Sequence, residues 1–437
     1  MKSINTLDQK TIKKISELKG EPKWMLEFRL KSLEKFNELS NPNFGPELKI
    51  DFSDINYYKK VTDEIANNWN ELPKNIKDAF DEIGLPDAER KYLSGIHAQY
   101  ESESVYHNMI NELNDKNIIF CDTDTALKKY PEIFKEYFNN LVKYDENKYT
   151  ALNGAVWSGG TFIYVPPYTT LDRPLQSYFR INSKNMGQFE RTIIIVDEGS
   201  DIHYMEGCTA PTYTSDALHA AVVEIYVKKG AKCRYTTIQN WSSDVYNLVT
   251  KRAIVYENGL MEWIDGNIGS KTNMKYPSCI LNGEYAKGNC ISIAVATTNQ
   301  VQDTGAKMIH LAPNTKSSII SKSIALKGGV ANYRGTVKIS KKAQNSYAYV
   351  KCDTIIVDDK SKSDTIPKNI VDNDTSFIEH EATVSKIDEE KLFYLMSRGI
   401  SLDKARELLM MGFIDRFREE LPMEYAVELN ALLKNYF

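Results

Sequence analysis

The sequence predicts a mainly β protein in which a β-solenoid forms the core and helical segments flank it. Turn-forming residues, each followed by a short β-type run, recur from about Arg191 to Val357. The runs begin at Asp201, Lys232, Leu260, Asn289, Ser317 and Ser346, with separations of 31, 28, 29, 28 and 29 residues. A near-constant period of this length is typical of solenoids, whose units bury their apolar faces only against their neighbours.

Two other β architectures give a similar pattern. A β-sandwich or a set of independent hairpins also has short strands separated by turns at fairly even spacing. The spacing in this chain is more even than hairpin arrays require, and a second apolar run precedes each turn. The solenoid is therefore the favoured prediction.

The composition is that of an ordinary globular protein. Of the 437 residues 42% are hydrophobic and 26% are charged, and the 26 tyrosines and 16 phenylalanines suit a large β content. A net charge of −4 offers no basic surface for nucleic acid or for a membrane. Apolar runs such as Ile193–Val196 are too short to cross a bilayer, and the opening MKSINTLDQK lacks the apolar segment of a signal peptide.

The cysteines indicate a reducing compartment. They stand far apart, without a Cys-x-x-Cys pair, so a disulfide framework is not expected. We predict free thiols and a cytoplasmic protein, with a plastid as the other compartment that fits. The six are Cys121, Cys208, Cys233, Cys279, Cys290 and Cys352.

The chain divides into three predicted domains. Residues 1–150 are expected to be an N-terminal helical domain, because amphipathic patterns dominate there. Glycines and prolines between β-type runs begin near Ala151, so residues 151–360 are assigned to the β core. Residues 361–437 contain a polar loop and two amphipathic helices. The N-terminal helical patterns cover residues 8–18, 22–39, 74–83, 102–113 and 124–141.

The two C-terminal helices have recognisable starts. Ser401 suits the N-cap of the first helix, and Pro422 suits the first turn of the second. Their apolar faces are expected either to cap the solenoid or to dock a partner.

Cys352 is the first candidate for chemistry. It lies in the last repeat, and Glu379, His380 and Glu381 follow after one loop. If that loop folds back, a thiolate, an imidazole and two carboxylates converge, and thiolate with imidazole suits iron or zinc. The alternative is a small core residue, the usual role of a single cysteine in a β-strand.

Cys208 is the second candidate, in the run EGCTAP at the end of a repeat strand. A thiol there can accept sulfur from a donor if nearby cations favour its thiolate. Arg180, Lys232 and Lys251 are candidate cations, and a solvated strand face is the alternative for each.

Other polar residues in the β-type runs are expected to be part of the core. His203, His219 and His310 stand singly and suit hydrogen-bonded core positions. Gln239 and Trp241 alternate along one strand, so their side chains point to the same side, where a buried amide would need a partner.

The sequence also argues against several activities. It has no Gly-x-x-x-x-Gly-Lys-Ser/Thr phosphate loop, no Gly-x-Ser-x-Gly and no His-Glu-x-x-His. ATP binding through a phosphate loop and stand-alone hydrolase activity are therefore disfavoured. A solenoid acting on polysaccharide would need carboxylates at consistent repeat positions, and the sequence has none.

Long, ordered segments of the chain carry a family resemblance. They are FRINSKNMGQFERTIIIVDEGS, EGCTAPTYTSDALHAAVVE, TIQNW, VTKRA, KYPSCIL, DTGAKMIH, YRGTVKI, KCDT, EHEATVSKI, LFYLMSRGIS and ELPMEYAVE. Together they resemble the SufB branch of the SufB/SufD family of SUF iron–sulfur cluster assembly proteins, from about Gly20 to the C-terminus. The resemblance implies a right-handed parallel β-helix between helical ends, and a scaffold that builds a cluster and passes it on.

The resemblance also implies roles for individual residues. Cys208 would accept persulfide sulfur, and Cys352 would ligate the nascent cluster. Glu379, His380 and Glu381 match an acidic–His–acidic motif that completes the cluster site, with Glu381 as the favoured carboxylate ligand. The interior route for sulfur would be lined by Arg180, Asn182, Gln239, Trp241 and Lys251.

Partners and cofactors follow from the same resemblance. The C-terminal helices, from about Glu389, match the region that docks the ATPase SufC, which would hydrolyse ATP for a chain that is itself no enzyme. SufD or a second SufB copy would complete the scaffold, a SufE- or SufU-type protein would donate sulfur, and apo iron–sulfur proteins would receive the transient cluster. Reduced flavin has been linked to family members, although the chain has no flavin motif.

Two features depart from the family pattern, and one rival hypothesis stays open. No cysteine precedes Cys121, where many bacterial members have a Cys-rich motif, and the loop after Trp241 is shorter than in many relatives. The rival is a SufD-like structural partner that binds SufC without holding the cluster. The joint presence of Cys208, Cys352 and the EHE run argues against it.

Overall fold

The structure is a computed structural model. It describes residues 6–62, 65–81, 93–109, 113, 115–211, 216–421, 423–434 and 436.

A parallel β-solenoid of about eight turns forms the centre of the molecule, and helices lie before and after it. The mainly β solenoid fold with helical ends is therefore confirmed. The first strands are β1 (Gly95–Tyr100), β2 (Glu103–Met109), β3 (Ile119–Asp122), β4 (Thr161–Val165), β5 (Leu175–Arg180), β6 (Gly187–Gln188), β7 (Arg191–Val196), β8 (Asp201–Thr209), β9 (Ala217–His219), β10 (Val222–Val227), β11 (Lys232–Trp241) and β12 (Val245–Val255). The later strands are β13 (Leu260–Gly269), β14 (Thr272–Lys275), β15 (Ser278–Leu281), β16 (Lys287–Ala296), β17 (Val301–Thr304), β18 (Lys307–His310), β19 (Lys316–Ala325), β20 (Val330–Ile339), β21 (Tyr347–Ile356), β22 (Thr365–Val371) and β23 (Phe377–Lys386).

The strands form two long sheets that face each other across the core. Within the described residues, one sheet has the order β2-β1-β5-β8-β11-β13-β16-β19-β21-β23. The other runs β14-β17-β20-β18-β15-β12-β10-β7-β4-β3, with β22 beside β20. The pairs β1–β2 and β3–β4 are antiparallel, whereas successive turns of the solenoid pair in parallel.

The register confirms the repeat but shifts three of its predicted starts. Asp201, Lys232 and Leu260 occupy one position in successive turns, as the period predicted. The position continues at Lys287, Lys316, Tyr347 and Phe377. The predicted starts at Asn289, Ser317 and Ser346 were wrong by one or two residues. Lys287 and Lys316 already pair in the ladder, whereas Ser346 lies one residue before the first paired position.

Alternate side chains of each solenoid strand point into the core. Trp263, Cys290, Ile319 and Val350 stand in register on neighbouring strands, and each is at most 2% exposed. Burying a large apolar side chain in this way contributes roughly 1.5–3 kcal/mol. The stack therefore joins the turns into one continuous core.

Helices cover the start of the chain, although not everywhere that helical patterns occur. Asp8 caps the first helix by accepting from the Thr11 N–H (2.8 Å). The predicted helix over residues 102–113 was wrong, because residues 103–109 form β2 and pair with β1. Tertiary pairing overrides local preference there. The described N-terminal helices are α1 (Gln9–Lys19), α2 (Lys23–Glu38), α3 (Lys74–Asp81), α4 (Thr123–Lys129), α5 (Pro131–Tyr137) and α6 (Lys148–Val156).

Four helices follow the solenoid in the part of the chain that the structure describes, and the last three pack against its side. Ser401 caps the second of the four, as predicted, by accepting from the Lys404 N–H (3.4 Å). Pro422 lies outside the described residues. The helices are α7 (Glu389–Ser397), α8 (Leu402–Phe413), α9 (Asp415–Glu419) and α10 (Met423–Lys434). The cluster between α8–α10 and the solenoid includes Met410, Ile414, Phe417, Leu429, Leu433, Ile268, Ile293 and Ile324.

The helix α7 leaves large apolar side chains in solvent. Phe393 is 75% exposed and Tyr394 is 57% exposed.

Across the described ranges, we find no helix with the length and apolar character that a membrane span requires.

Gly269, the last residue of β13, is required by its close approach to the neighbouring turn. Its φ is +79°, and a Cβ would overlap the carbonyl oxygen of Trp241. We expect Gly269→Ala to destabilise the fold by about 2 kcal/mol or more, because alanine is strained at positive φ and the backbone must move. Gly412→Ala is the matched control: apart from the backbone of α8 itself, no atom of the described residues lies within 4 Å of its Cβ position, so stability should hold or rise by about 0.5–1 kcal/mol. Denaturant unfolding of both variants checks this, and equal midpoints would contradict it.

Candidate functional site

Cys208 lies inside the solenoid near the end of β8. It is 1% exposed and stands in register with Phe179 and Gln239 on the neighbouring strands. Trp241 belongs to the same buried cluster. Burial raises the pKa of the Cys208 thiol, and the nearby carboxylates of Glu206 and Glu190 raise it further. The thiol is therefore protonated at neutral pH unless a base or an incoming group changes its surroundings.

Two N–H groups beside Cys208 have no hydrogen-bond partner among the described residues. Gln239 Oε1 accepts from Lys275 Nζ and Asn247 Nδ2, both at 2.8 Å, which fixes the orientation of the amide. Gln239 Nε2 and Trp241 Nε1 are buried and lack a hydrogen-bond partner within the described part of the chain. Buried donors are rarely left unpaired, since each loses its bonds to water. The pair is suited to bind an acceptor, such as a sulfur anion.

Two buried lysines follow Cys208 along the interior. Lys251 Nζ bonds to Glu206 (3.0 Å) and Thr237 (2.9 Å), and Lys275 Nζ lies 2.8 Å from Asp265. Burial alone would lower the pKa of Lys251, but Glu206 and Asp265 outweigh it, so the net pKa is raised. Burial lowers the pKa of Lys275 despite Asp265. The core of these turns thus contains paired charges of both signs.

His219 joins this interior network. Its Nδ1 lies 2.6 Å from Asn247 Oδ1, and its Nε2 bonds to Glu190. Burial lowers the pKa of His219, but Glu190 outweighs it and the net pKa is raised. Both ring nitrogens face acceptors, which suits the protonated ring. The prediction of a hydrogen-bonded core histidine is confirmed, and the ring centroid lies 4.7 Å from that of Trp241.

The sequence analysis missed a row of amides in the second sheet. Asn247 Nδ2 donates to Asn273 Oδ1 (2.7 Å), and Asn273 Nδ2 donates to Gln302 Oε1 (2.8 Å). The three residues are buried and occupy one register position in successive turns. A polar residue that recurs at the same repeat position inside an apolar strand is a signal that could have identified them.

A line of polar side chains connects the surroundings of Cys208 with Cys352. Its members are buried and stand at one register position on successive strands. Five strand steps separate β8 from β21, on the order of 24 Å at the usual strand spacing. Ser292 and Ser321 share a 3.1 Å hydrogen bond within it. We call this line the polar ladder: Glu206, Thr237, Asp265, Ser292, Ser321 and Cys352.

Cys352 ends the ladder on β21, and the loop after it does fold back. The Sγ atom lies 3.6 Å from His380 Nε2 and 3.6 Å from the main-chain oxygen of Glu381, both on β23. Burial is the main factor that raises the pKa of Cys352, to about 11. The structure therefore brings together two of the four side chains that were expected to converge if the loop folded back, Cys352 and His380.

The two carboxylates of the EHE run point the other way. Side chains alternate along β23, so His380 faces the interior while Glu379 and Glu381 lie on the outer face. Glu379 accepts from Tyr347 (2.9 Å), and Glu381 pairs with Lys351 (2.8 Å). Among the residues that the structure describes, no three His, Cys, Asp or Glu side chains are grouped to hold a metal ion.

The remaining predicted site residues are Arg180, Asn182 and Lys232. Arg180, at the end of β5, is buried and stands in register with Thr209, next to Cys208. Asn182 Nδ2 donates to the Tyr100 hydroxyl (2.5 Å). Lys232 lies at the far end of its strand, with a 60% exposed side chain, so it does not reach Cys208.

The chain matches two family models over most of its length. The model described as SufBD protein N-terminal region matches residues 8–177, and the model described as SUF system FeS cluster assembly, SufBD core domain, matches residues 179–413. The chain belongs to the SufBD family. It is therefore a protein of iron–sulfur cluster assembly, and Cys208, Cys352 and His380 all lie within the matched core domain.

Curated SufBD relatives extend the match to almost the whole chain. An iron–sulfur cluster assembly SufBD family protein of Staphylococcus aureus (strain USA300) is 59% identical over 434 residues, which cover 99% of this chain and 93% of the relative. The corresponding Staphylococcus saprophyticus protein is 58% identical over the same coverage.

Proposed function

We propose that this SufBD protein is the SufB-type scaffold on which sulfur and iron are joined into a cluster. Sulfur enters at Cys208, moves through the solenoid interior, and meets iron at Cys352. The observation that supports this most strongly is the polar ladder, because a purely structural core would be expected to be apolar along its axis.

At Cys208 the proposed step is the transfer of a sulfane sulfur. The Cys208 thiolate attacks the outer sulfur of a persulfide on a SufE- or SufU-type donor, a new S–S bond forms, and the donor leaves as a thiolate. The buried cations Lys251 and Lys275 favour the anionic forms, as their charges act on Cys208. The N–H groups of Gln239 and Trp241 suit the resulting perthiolate, and Arg180 with Asn182 lines the entrance.

Beyond Cys208, the proposed route follows the polar ladder. Lys251 sits beside Thr237 and Glu206 at its start, and Ser292 with Ser321 supplies hydroxyls in its second half. Hydroxyl and ammonium groups can stabilise a sulfur anion that the surrounding apolar side chains cannot.

Cys352 and His380 form the iron-binding end of the proposal. Thiolate sulfur and imidazole nitrogen are suitable iron ligands. Glu381, and then Glu379, would complete the ligand set at an interface with SufD or a second SufB copy. The exposed position of β23 and of Phe377 at 57% supports an interface there.

The other partners are proposed from the position of the chain's ends. SufC would dock on α7–α10, where Phe393 and Tyr394 are exposed, and would hydrolyse the ATP. The assembled cluster would pass to apo iron–sulfur proteins. We assign this work to the cytoplasm, since the relatives are bacterial, and we assign reduced flavin to the assembled complex rather than to a site on this chain.

A SufD-like structural role is the alternative. The outward direction of Glu379 and Glu381 favours it, because Cys352 and His380 then provide two ligands rather than three or four.

Anaerobic reconstitution separates the two functions. The purified chain, alone and with SufC, is incubated with ferrous iron and sulfide, and iron content and visible absorption are measured. We expect the chain to take up iron with a charge-transfer chromophore. SufC binding without iron uptake would instead identify a SufD-like partner.

A further inference from the structure

Tyr333 is a buried phenol near the cluster end of the solenoid. It lies on β20, opposite the strand of Cys352, and is 1% exposed. The side chain belongs to the same core cluster as Cys290 and Cys352. Its hydroxyl oxygen has no hydrogen-bond partner in the described portion of the protein. An O–H group held in this way is available to a ligand.

The surroundings of Tyr333 connect it with Cys352. Tyr333 stands in register with Thr365 on β22, and the Thr365 side chain lowers the pKa of the Cys352 thiol, although burial outweighs it. Burial raises the pKa of Tyr333, and negative charge on Cys352 or Cys290 raises it further. The phenol therefore stays protonated and can act as a hydrogen-bond donor.

Gly335 fixes the direction of the phenol. It lies two residues further along β20, and a Cβ at this position would collide with the Tyr333 hydroxyl. The ring thus leans along its own strand into the space that glycine leaves. Sequence position and packing together hold the hydroxyl in the interior rather than toward solvent.

We propose that Tyr333 donates a hydrogen bond to the outer sulfur of a persulfide formed on Cys352, and so retains sulfur at the assembly end until iron arrives. This rests on the proposed function, because it requires sulfur to reach Cys352. The donor would act together with His380, whose Nε2 lies 3.6 Å from the Cys352 sulfur. In this proposal the Tyr333 hydroxyl contacts the transferred sulfur directly.

The loading step balances without an added oxidant. The Cys352 thiolate attacks the terminal sulfane sulfur of an inorganic polysulfide, one S–S bond forms, one S–S bond of the polysulfide breaks, and the shortened polysulfide leaves as an anion. Charge on the product is concentrated on the outer sulfur, where a phenol O–H can donate.

The test compares the full-length wild type with Tyr333→Phe. Both are loaded anaerobically with inorganic polysulfide, excess reagent is removed, and persulfide on the Cys352 peptide is trapped by alkylation and counted by mass spectrometry over time. We expect the variant to lose Cys352 persulfide about tenfold faster, since one charge-assisted hydrogen bond is missing. Its melting temperature should be unchanged or higher, because the deleted hydroxyl bonds to no described group.

Tyr226→Phe is the matched control. Tyr226 is buried in the same sheet, but its hydroxyl donates to the Tyr137 carbonyl (3.0 Å). This control should lower the melting temperature and leave the lifetime of Cys352 persulfide unchanged. Equal persulfide lifetimes in wild type and Tyr333→Phe would overturn the role of Tyr333 alone. If wild type forms no Cys352 persulfide, this inference falls, whereas the proposed route from Cys208 is judged separately, since polysulfide loads Cys352 directly.

Discussion

Replacing Cys352 with alanine is expected to abolish cluster formation while the chain still folds. The substitution removes one buried sulfur atom, whose packing is worth on the order of 1 kcal/mol, but it also removes the only thiol that lies beside His380 among the described residues. After anaerobic reconstitution with SufC, iron content and visible absorption should fall to the level of a protein without a site.

The control is another buried thiol in the same core. Cys279 is fully buried on β15 and belongs to the cluster that contains Cys352. Cys279→Ala removes the same atom and should lose a similar amount of stability, yet keep iron uptake near that of wild type. Similar iron content in wild type and Cys352→Ala would contradict the assignment of Cys352.

Lys251→Met is expected to have the largest effect on stability. It leaves the Glu206 carboxylate buried without its cation, 3.0 Å from where the ammonium stood. Breaking one partner of a buried ion pair costs about 3–5 kcal/mol. Denaturant unfolding should show the loss, and the transfer of sulfur from Cys208 to Cys352 should fall at least tenfold.

A double substitution separates stability from transfer. Lys251→Met with Glu206→Gln removes both charges and keeps an acceptor for the Tyr235 hydroxyl, which bonds to Glu206. Most of the lost stability should return, whereas sulfur transfer should stay low because the cation is still absent. Recovery of transfer along with stability would mean that the pair serves only the fold.

The period of the repeat was sufficient to predict the solenoid, since stacking units must share one register. The helical pattern was misleading for residues 103–109, because pairing with β1 makes this segment a strand. The pattern of turn residues also misplaced the strand start at Asn289, because Lys287 already pairs in the ladder. The position of a strand end depends on contacts between successive solenoid turns. The local pattern of turn-forming residues carries no information about those contacts.

The candidate site was predictable in part for the same reason. Cys208, Gln239 and Lys251 point inward, as the strand period allows, and the approach of His380 to Cys352 follows from one solenoid turn between them. Strand alternation also explains why the Glu381 side chain points away from Cys352. The family motif gives only the order of the residues and does not show this direction. Pairing between sheets, such as Lys275 with Gln239, required the three-dimensional structure.

Because β23 lies at the end of its sheet, we expect local unfolding to cost less free energy at this end of the solenoid than at its centre. No described strand lies beyond β23, and most of its residues are exposed. In a stack of repeats, terminal units are held by one neighbour and fray with less free energy than central ones. Fraying of this rung would uncover Cys352 to iron and to acceptor proteins, while Cys208, several rungs inward, stays protected from oxidants.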